Sequence, residues 1–211
     1  CQSTKWFAQR VYTVSDDQRH LISKKLGIPL DTIGITYNGW EHMERVEPDP
    51  AIFDAMPGLP RSGYYYALGS LASHKNFRWI REVAARNPDK TFVVAGGKDL
   101  AAFGSEEADA ARNTANIFYP GYVTDAQNKA LMQNCRAFLH PAVFEGFGIP
   151  PLEALSQGVP IAVARASCLP ELYGDTAHYF DPYDYDVDLD ALLAEPVASP
   201  EKILEKYSWD K

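Results

Sequence analysis

Two glutamates, Glu145 and Glu153, flank the stretch Gly146-Phe147-Gly148-Ile149-Pro150-Pro151. The glycines let backbone approach a ligand closely, and the prolines have no N–H. Any backbone cradle must therefore be donated by Gly146, Phe147, Gly148 and Ile149. A helix is expected to follow and to stop at Gly158, a natural left-handed C-terminal residue. The free N–H groups at its start, with ~half a positive charge, favour an anion such as a diphosphate. Glu153 is expected in the first turn of that helix. Helical side chains lean toward the N-terminus, so its carboxylate points back at whatever the loop holds. A carboxylate repels phosphate, which makes both glutamates acceptors for sugar hydroxyls and implies two hydroxyl-bearing groups. The plainer alternative is that Glu153 favours the helix start and Glu145 is a solvated loop residue.

These residues need a frame. Arg136 to His140 reads as a short buried strand, so the loop lies at a strand's carboxyl end, where open α/β sheets bind ligands. A regular alternation starts at Tyr64. Strand 64–69 precedes helix 76–87, with Phe77, Ile80 and Val83 on one face, and strand 91–96 ends in Gly96-Gly97. A polar helix at 105–114, a strand at 116–119 and a helix capped by Thr124 and Gln127 follow. Beyond the central loop come strand 160–164, a short helix at 169–173, strand 177–181 and terminal helices after 186. Six strands in this pattern predict an α/β fold with a doubly wound parallel sheet. Upstream, strand 11–15, a helix started by a Ser15/Gln18 capping box, strand 33–37 and the Asn38-Gly39 turn lead into a proline-bearing linker at 41–61.

Lys75 follows the first strand of the alternation, in Ser70-Leu71-Ala72-Ser73-His74-Lys75-Asn76, and is expected to be an exposed loop residue facing the central loop as a diphosphate cation. The chain has 211 residues and a formal net charge of -8, with no basic stripe. It is therefore not a nucleic-acid binder, and any anion is held locally. Cys1, Cys135 and Cys168 have no metal-ligand spacing and are expected as buried thiols in a reducing compartment, the cytoplasm. No apolar run reaches the ~18 residues of a transmembrane segment. The acids from Asp184 to Asp190 contain DxD triplets but precede an apolar pattern at Leu189, Leu192 and Leu193, so they are read as a helix start and not as a metal site. Gly146-Phe147-Gly148 lacks the third glycine of a dinucleotide fingerprint.

The spacing of Glu145 and Glu153 resembles the E-x7-E motif of the retaining glycosyltransferases of family 4, and Gly121-Tyr122-Val123, His140-Pro141, Leu169-Pro170-Glu171 and Asp181-Pro182 are similar to that family as well. The resemblance, specific over 64–183, implies the C-terminal half of a GT-B fold. Residues 1–61 would be the end of the N-terminal acceptor domain plus a linker, and 62–211 the nucleotide-sugar donor-binding domain. It also implies roles. Glu153 would accept from the ribose, Glu145 from the donor sugar, and Lys75 with the amides of Gly146, Phe147, Gly148 and Ile149 would stabilise the leaving diphosphate. Tyr122 and Val123 would hold the base, and His140 would pack beneath the loop. The family often has an arginine near Ser70 or at His74; here His74, Arg78 or an arginine supplied from elsewhere would substitute. The implied reaction passes a glycosyl group from a nucleoside-diphosphate sugar to an acceptor hydroxyl with retention. The wording is nearest to mannosyltransferases of polysaccharide biosynthesis, hence GDP-mannose as donor and a saccharide or lipid-linked acceptor. No metal or other cofactor is implied. Peripheral membrane contact would come through the absent part of the N-terminal domain, and residues 1–40 would self-associate. The alternative from another class is a non-catalytic nucleotide-sugar-binding module.

Overall fold

A computed structural model describes residues 8–70, 72–97 and 114–209. All but the last residue of the helix expected at 105–114, and Cys1, lie outside them. The main sheet has six strands: β3 (Tyr65–Leu68), β4 (Phe92–Ala95), β5 (Ile117–Gly121), β6 (Ala137–His140), β7 (Ile161–Ala164) and β8 (His178–Phe180). Their order is β5-β4-β3-β6-β7-β8. Every pairing is parallel; Tyr65 lies opposite Phe92 on one side and Ala137 on the other. All residues of β4, β6 and β7 are buried. That is why these strands read as unbroken apolar runs: a parallel sheet is covered on both faces. The doubly wound α/β fold expected from the sequence is the one observed. The winding reverses between β3 and β6, so the loops that leave these two strands open beside each other at the carboxyl edge.

Helix α2 (Phe77–Arg86) buries Phe77, Trp79, Ile80, Val83 and Ala84. Trp79 stacks on Phe180 with ring centroids 3.9 Å apart. Each such side chain contributes about 1.5–3 kcal/mol on burial. Thr124 and Gln127 form both bonds of a capping box at the start of α3 (Asp125–Asn134). At the end of β4, Gly96 has φ +104°, and a Cβ there would sit 2.1 Å from the carbonyl oxygen of Gly69. Only glycine allows β3 and β4 to close up at this edge.

Upstream, β1 (Val11–Thr13) and β2 (Ile33–Ile35) pair in parallel around α1 (Asp16–Leu26). The second strand is shorter than the expected 33–37. The Ser15/Gln18 capping box is only half formed. Ser15 Oγ accepts from Gln18 N at 3.4 Å, but the Gln18 amide donates to Glu145 O and Asp17 instead of returning to Ser15. The linker makes two 3-10 turns, 41–45 and 50–53, and is tied down along its length. Lys129 Nζ donates to Met43 O and Val46 O, both at 2.8 Å. The buried Glu41 carboxylate accepts from Trp40 N at 3.0 Å and Trp209 N at 2.8 Å. Three further helices complete the chain beyond β7: α5 (Leu169–Tyr173), α6 (Leu189–Ala194) and α7 (Glu201–Lys206), with Trp40 Nε1 donating to Leu204 O of α7 at 3.0 Å. Among the described residues no helix is long and apolar enough to cross a membrane.

Candidate active site

The loop after β3 turns sharply at Asn76, which takes a left-handed φ of 55° and donates from its side chain to Pro182 O at 3.0 Å. The turn sends Lys75 back over the sheet edge. Contrary to the exposed lysine expected, Lys75 is largely buried and its Nζ is hydrogen-bonded to the Glu145 carboxylate. His140, buried at the end of β6, brings Nε2 to 3.0 Å from the same oxygen, Oε1. Burial pushes the Glu145 carboxyl up, but the hydrogen bond and charge of His140, followed by those of Lys75, outweigh it and hold the group down at about 2. Glu145 is thus a buried, ionised acceptor at neutral pH.

The glycine loop is held by its carbonyls. Gly146 O accepts from Ser15 Oγ at 2.7 Å and Gly148 O from Tyr173 OH at 2.5 Å. Glu145 O accepts from Gln18 Nε2 at 3.1 Å and Ser167 Oγ at 3.0 Å. Among the described residues the amides of Gly146, Phe147, Gly148 and Ile149 donate to no protein group. Gly148, with φ +82°, turns the chain into α4 (Ile149–Ser156). Glu153 is the fifth residue of α4, so it lies in the second turn and not in the first as expected. Its place is accordingly poorly explained by attraction to the helix dipole, which fades within a turn. Its Oε1 lies 2.7 Å from His42 Nε2, and its side chain is 12% exposed.

The site therefore combines an ionised carboxylate, a lysine, a run of unused amides at a helix start and a second carboxylate, all at the carboxyl edge of the sheet. Residues 60–203 match the family described as "Glycosyl transferases group 1". The chain belongs to the group 1 glycosyltransferases. It is 31% identical over 197 residues to the O-antigen chain mannosyltransferase B of Escherichia coli, covering 85% of this chain and 49% of the relative. It is 22% identical over 178 residues to the O-antigen chain mannosyltransferase RfbU of Salmonella typhimurium, covering 83% of this chain and 48% of that one. The chain thus spans about half the length of these curated relatives. Among solved structures, the Anabaena protein HepE in complex with UDP and glucose superposes with a TM-score of 0.75 at 18% identity, covering 90% of this chain and 54% of that one. The sucrose-phosphate synthase of Thermosynechococcus elongatus gives 0.74 at 15% identity, covering 96% and 55%. These neighbours are glycosyltransferases of the GT-B fold.

On this glycosyltransferase frame the other expected site residues divide. Val123 is buried and Tyr122 is 73% exposed, just beyond β5. The His74 side chain is exposed, and its carbonyl accepts from Val143 N at 2.9 Å. Arg78 is exposed on α2, with its Nε 4.0 Å from Glu82 Oε1. The acidic run caps a helix, as expected: Asp188 accepts from Asp190 N and Ala191 N, both at 3.0 Å, at the start of α6. Asp190 pairs with Lys90 at 2.8 Å and Arg136 at 2.7 Å. Cys168 is buried and Cys135 half-buried, both as free thiols.

Sequence reasoning missed His42, Ser15, Gln18 and Ser167, all of which touch the two glutamates or the loop. Glu171 belonged to the resemblance but carried no role. Its two carboxylate oxygens accept from Asp16 N at 2.8 Å and Asp17 N at 2.9 Å, capping α1 from the far side of the sequence. No local signal marks these contacts, because the partners lie 22 residues apart for Ser167 and Glu145 and more than a hundred apart for His42, Ser15, Gln18 and Glu171.

Proposed function

We propose that the chain is the donor-binding half of a retaining glycosyltransferase, with residues 1–61 forming the end of an acceptor domain and its linker and 62–211 the donor domain of a GT-B enzyme. The donor is a nucleoside-diphosphate sugar, taken as GDP-mannose. The observation that carries this reading is the Lys75–Glu145–His140 cluster beside four unused loop amides. It supplies an acceptor for sugar hydroxyls next to donors for a diphosphate. The mannosyltransferases named above favour a mannosyl group, and their O-antigen names favour polysaccharide synthesis with a saccharide or lipid-linked acceptor.

In this mechanism the amides of Gly146 to Ile149 and the Lys75 ammonium bind the diphosphate and stabilise the negative charge that grows on it as the glycosyl bond breaks. Glu145 accepts from hydroxyls of the donor sugar and fixes its orientation. Glu153 accepts from the ribose, Val123 and Tyr122 border the base, and metal plays no part in donor binding. The 211-residue chain alone binds the diphosphate weakly and transfers nothing, since the rest of the acceptor wall is needed to close the cleft against water.

Calorimetric titration with the free nucleoside diphosphate and with the sugar donor tests the division of roles. Glu153→Gln should weaken both ligands. Glu145→Gln should spare the nucleoside diphosphate and weaken the sugar donor by about tenfold or more, the worth of one hydrogen bond to a charged group. Loss of both ligands in the same proportion in the two variants refutes the assignment, and turnover by the chain alone refutes the division of labour.

A further inference from the structure

We propose that His42, a linker residue, is the positioning residue that sets the Glu153 carboxylate for recognition of the ribose hydroxyls. The inference rests on the reading of Glu153 as the ribose acceptor. A carboxylate only accepts, so the His42 nitrogen 2.7 Å from Glu153 Oε1 is the protonated one. That bond ties one oxygen and fixes the carboxylate plane, leaving the other oxygen and one lone pair of Oε1 to accept from a ligand.

Packing alone does not account for a histidine at this position. Its other ring nitrogen, Nδ1, is buried without a hydrogen-bond partner among the described residues. An apolar ring would fill the same space without that cost. Among the described residues the contact to Glu153 is the one polar bond the ring makes. The residues around it are tied together. Glu41, the preceding residue, grips Trp40 N and Trp209 N, and the Trp209 ring lies 5.8 Å from the imidazole. The segment joining the two proposed domains thus delivers a hydrogen-bond donor to one of the two glutamates of the donor site. Acids aligned in this way by a fixed neighbour discriminate hydroxyl-bearing ligands more sharply than free ones.

The test compares the best-binding of GDP, UDP and ADP with its 2′,3′-dideoxy form, which lacks the hydroxyls that Glu153 would hold. In the unaltered chain the natural diphosphate should bind about tenfold or more tighter. Glu153→Gln should collapse that ratio toward one. His42→Ala should lower it about threefold or more, while His42→Gln, which keeps an N–H donor, should retain most of it. Glu153→Gln combined with His42→Ala should lose no more than Glu153→Gln alone. If His42→Ala melts too low to titrate, His42→Phe keeps the ring volume without the donor and carries the same expectation. A His42 variant that weakens both ligands equally, leaving the ratio intact while Glu153→Gln destroys it, overturns this inference alone. A ratio unmoved by Glu153→Gln, or no binding of any of the three diphosphates, overturns the ribose reading and this inference with it.

Discussion

Replacing Glu145 with Gln should cost stability in a way that depends on pH with a defined sign. Burial works against the ionised form, yet His140 and Lys75 bring the carboxyl from its ordinary 4.5 to about 2. That difference is worth about 3 kcal/mol of folding free energy. With only 11% of the side chain exposed, solvent screening removes little of it. Because the folded-state value is depressed, the contribution is complete above about 4.5 and is lost as pH falls toward about 2. Roughly half should survive at about pH 3. An amide at this position accepts one hydrogen bond but leaves Lys75 without its counter-charge. Urea unfolding of the two proteins from about pH 7.5 down to 3 should show a gap of about 3 kcal/mol that is flat to about pH 5 and then narrows. In a thermal melt at neutral pH the same gap is a drop of about 6 to 12 °C. A gap of the same size at pH 3 and pH 7, or one under about 0.5 kcal/mol at pH 7, would refute the electrostatic account of the cluster.

Four further outcomes are expected. Lys75→Ala should weaken the nucleoside diphosphate and the sugar donor alike and, because Lys75 is paired and largely buried, should also lower stability by about 2 kcal/mol; an unchanged urea midpoint would contradict that pairing. Gly96→Ala should destabilise by about 3 kcal/mol or more, from a positive φ and a Cβ placed 2.1 Å from Gly69 O, and a loss under about 1 kcal/mol would show that the β3–β4 edge can relax. The Cys135 and Cys168 thiols, both pushed up to about 12 chiefly by burial, should react with a thiol reagent at pH 8 only after unfolding, which rapid labelling of the native protein would disprove. Donor affinity measured by calorimetry should be the same with and without EDTA; a collapse restored by manganese would reinstate the acidic run at Asp184 to Asp190.

The strands were legible in the sequence for one reason: β4, β6 and β7 are buried on both faces, so Phe92 to Ala95, Ala137 to His140 and Ile161 to Ala164 form short apolar runs between turn residues. The helix starts were less certain. Thr124 and Gln127 form the capping box their spacing predicts, whereas Gln18, with the same spacing from Ser15, is drawn away by the Glu145 carbonyl. A local signal fixed the backbone in both cases but not the side chain, which follows the stronger tertiary partner. In the same way the sequence turns Lys75 toward the central loop, but nothing near it shows that the Glu145 carboxylate will be its partner. His42 was harder still. It sits in a linker with no periodic pattern, and only the folded chain brings it against Glu153.

The cap on α1 carries a consequence for the order of events during synthesis. The first two amides of that helix are satisfied by Glu171, which lies 155 residues downstream of Asp16. At about 5 to 20 residues per second, a ribosome needs roughly 8 to 30 s to deliver that carboxylate after the helix itself has emerged. During this interval α1, which has no buried residue of its own, starts with N–H groups that Glu171 does not yet reach. Helix–coil relaxation takes about a microsecond, so the segment fluctuates many times over before its partner exists. The glycine loop's hold on Ser15 and Gln18 is therefore among the late contacts to form, and the period before it forms is when the nascent chain is most open to chaperones and to pairing with another copy.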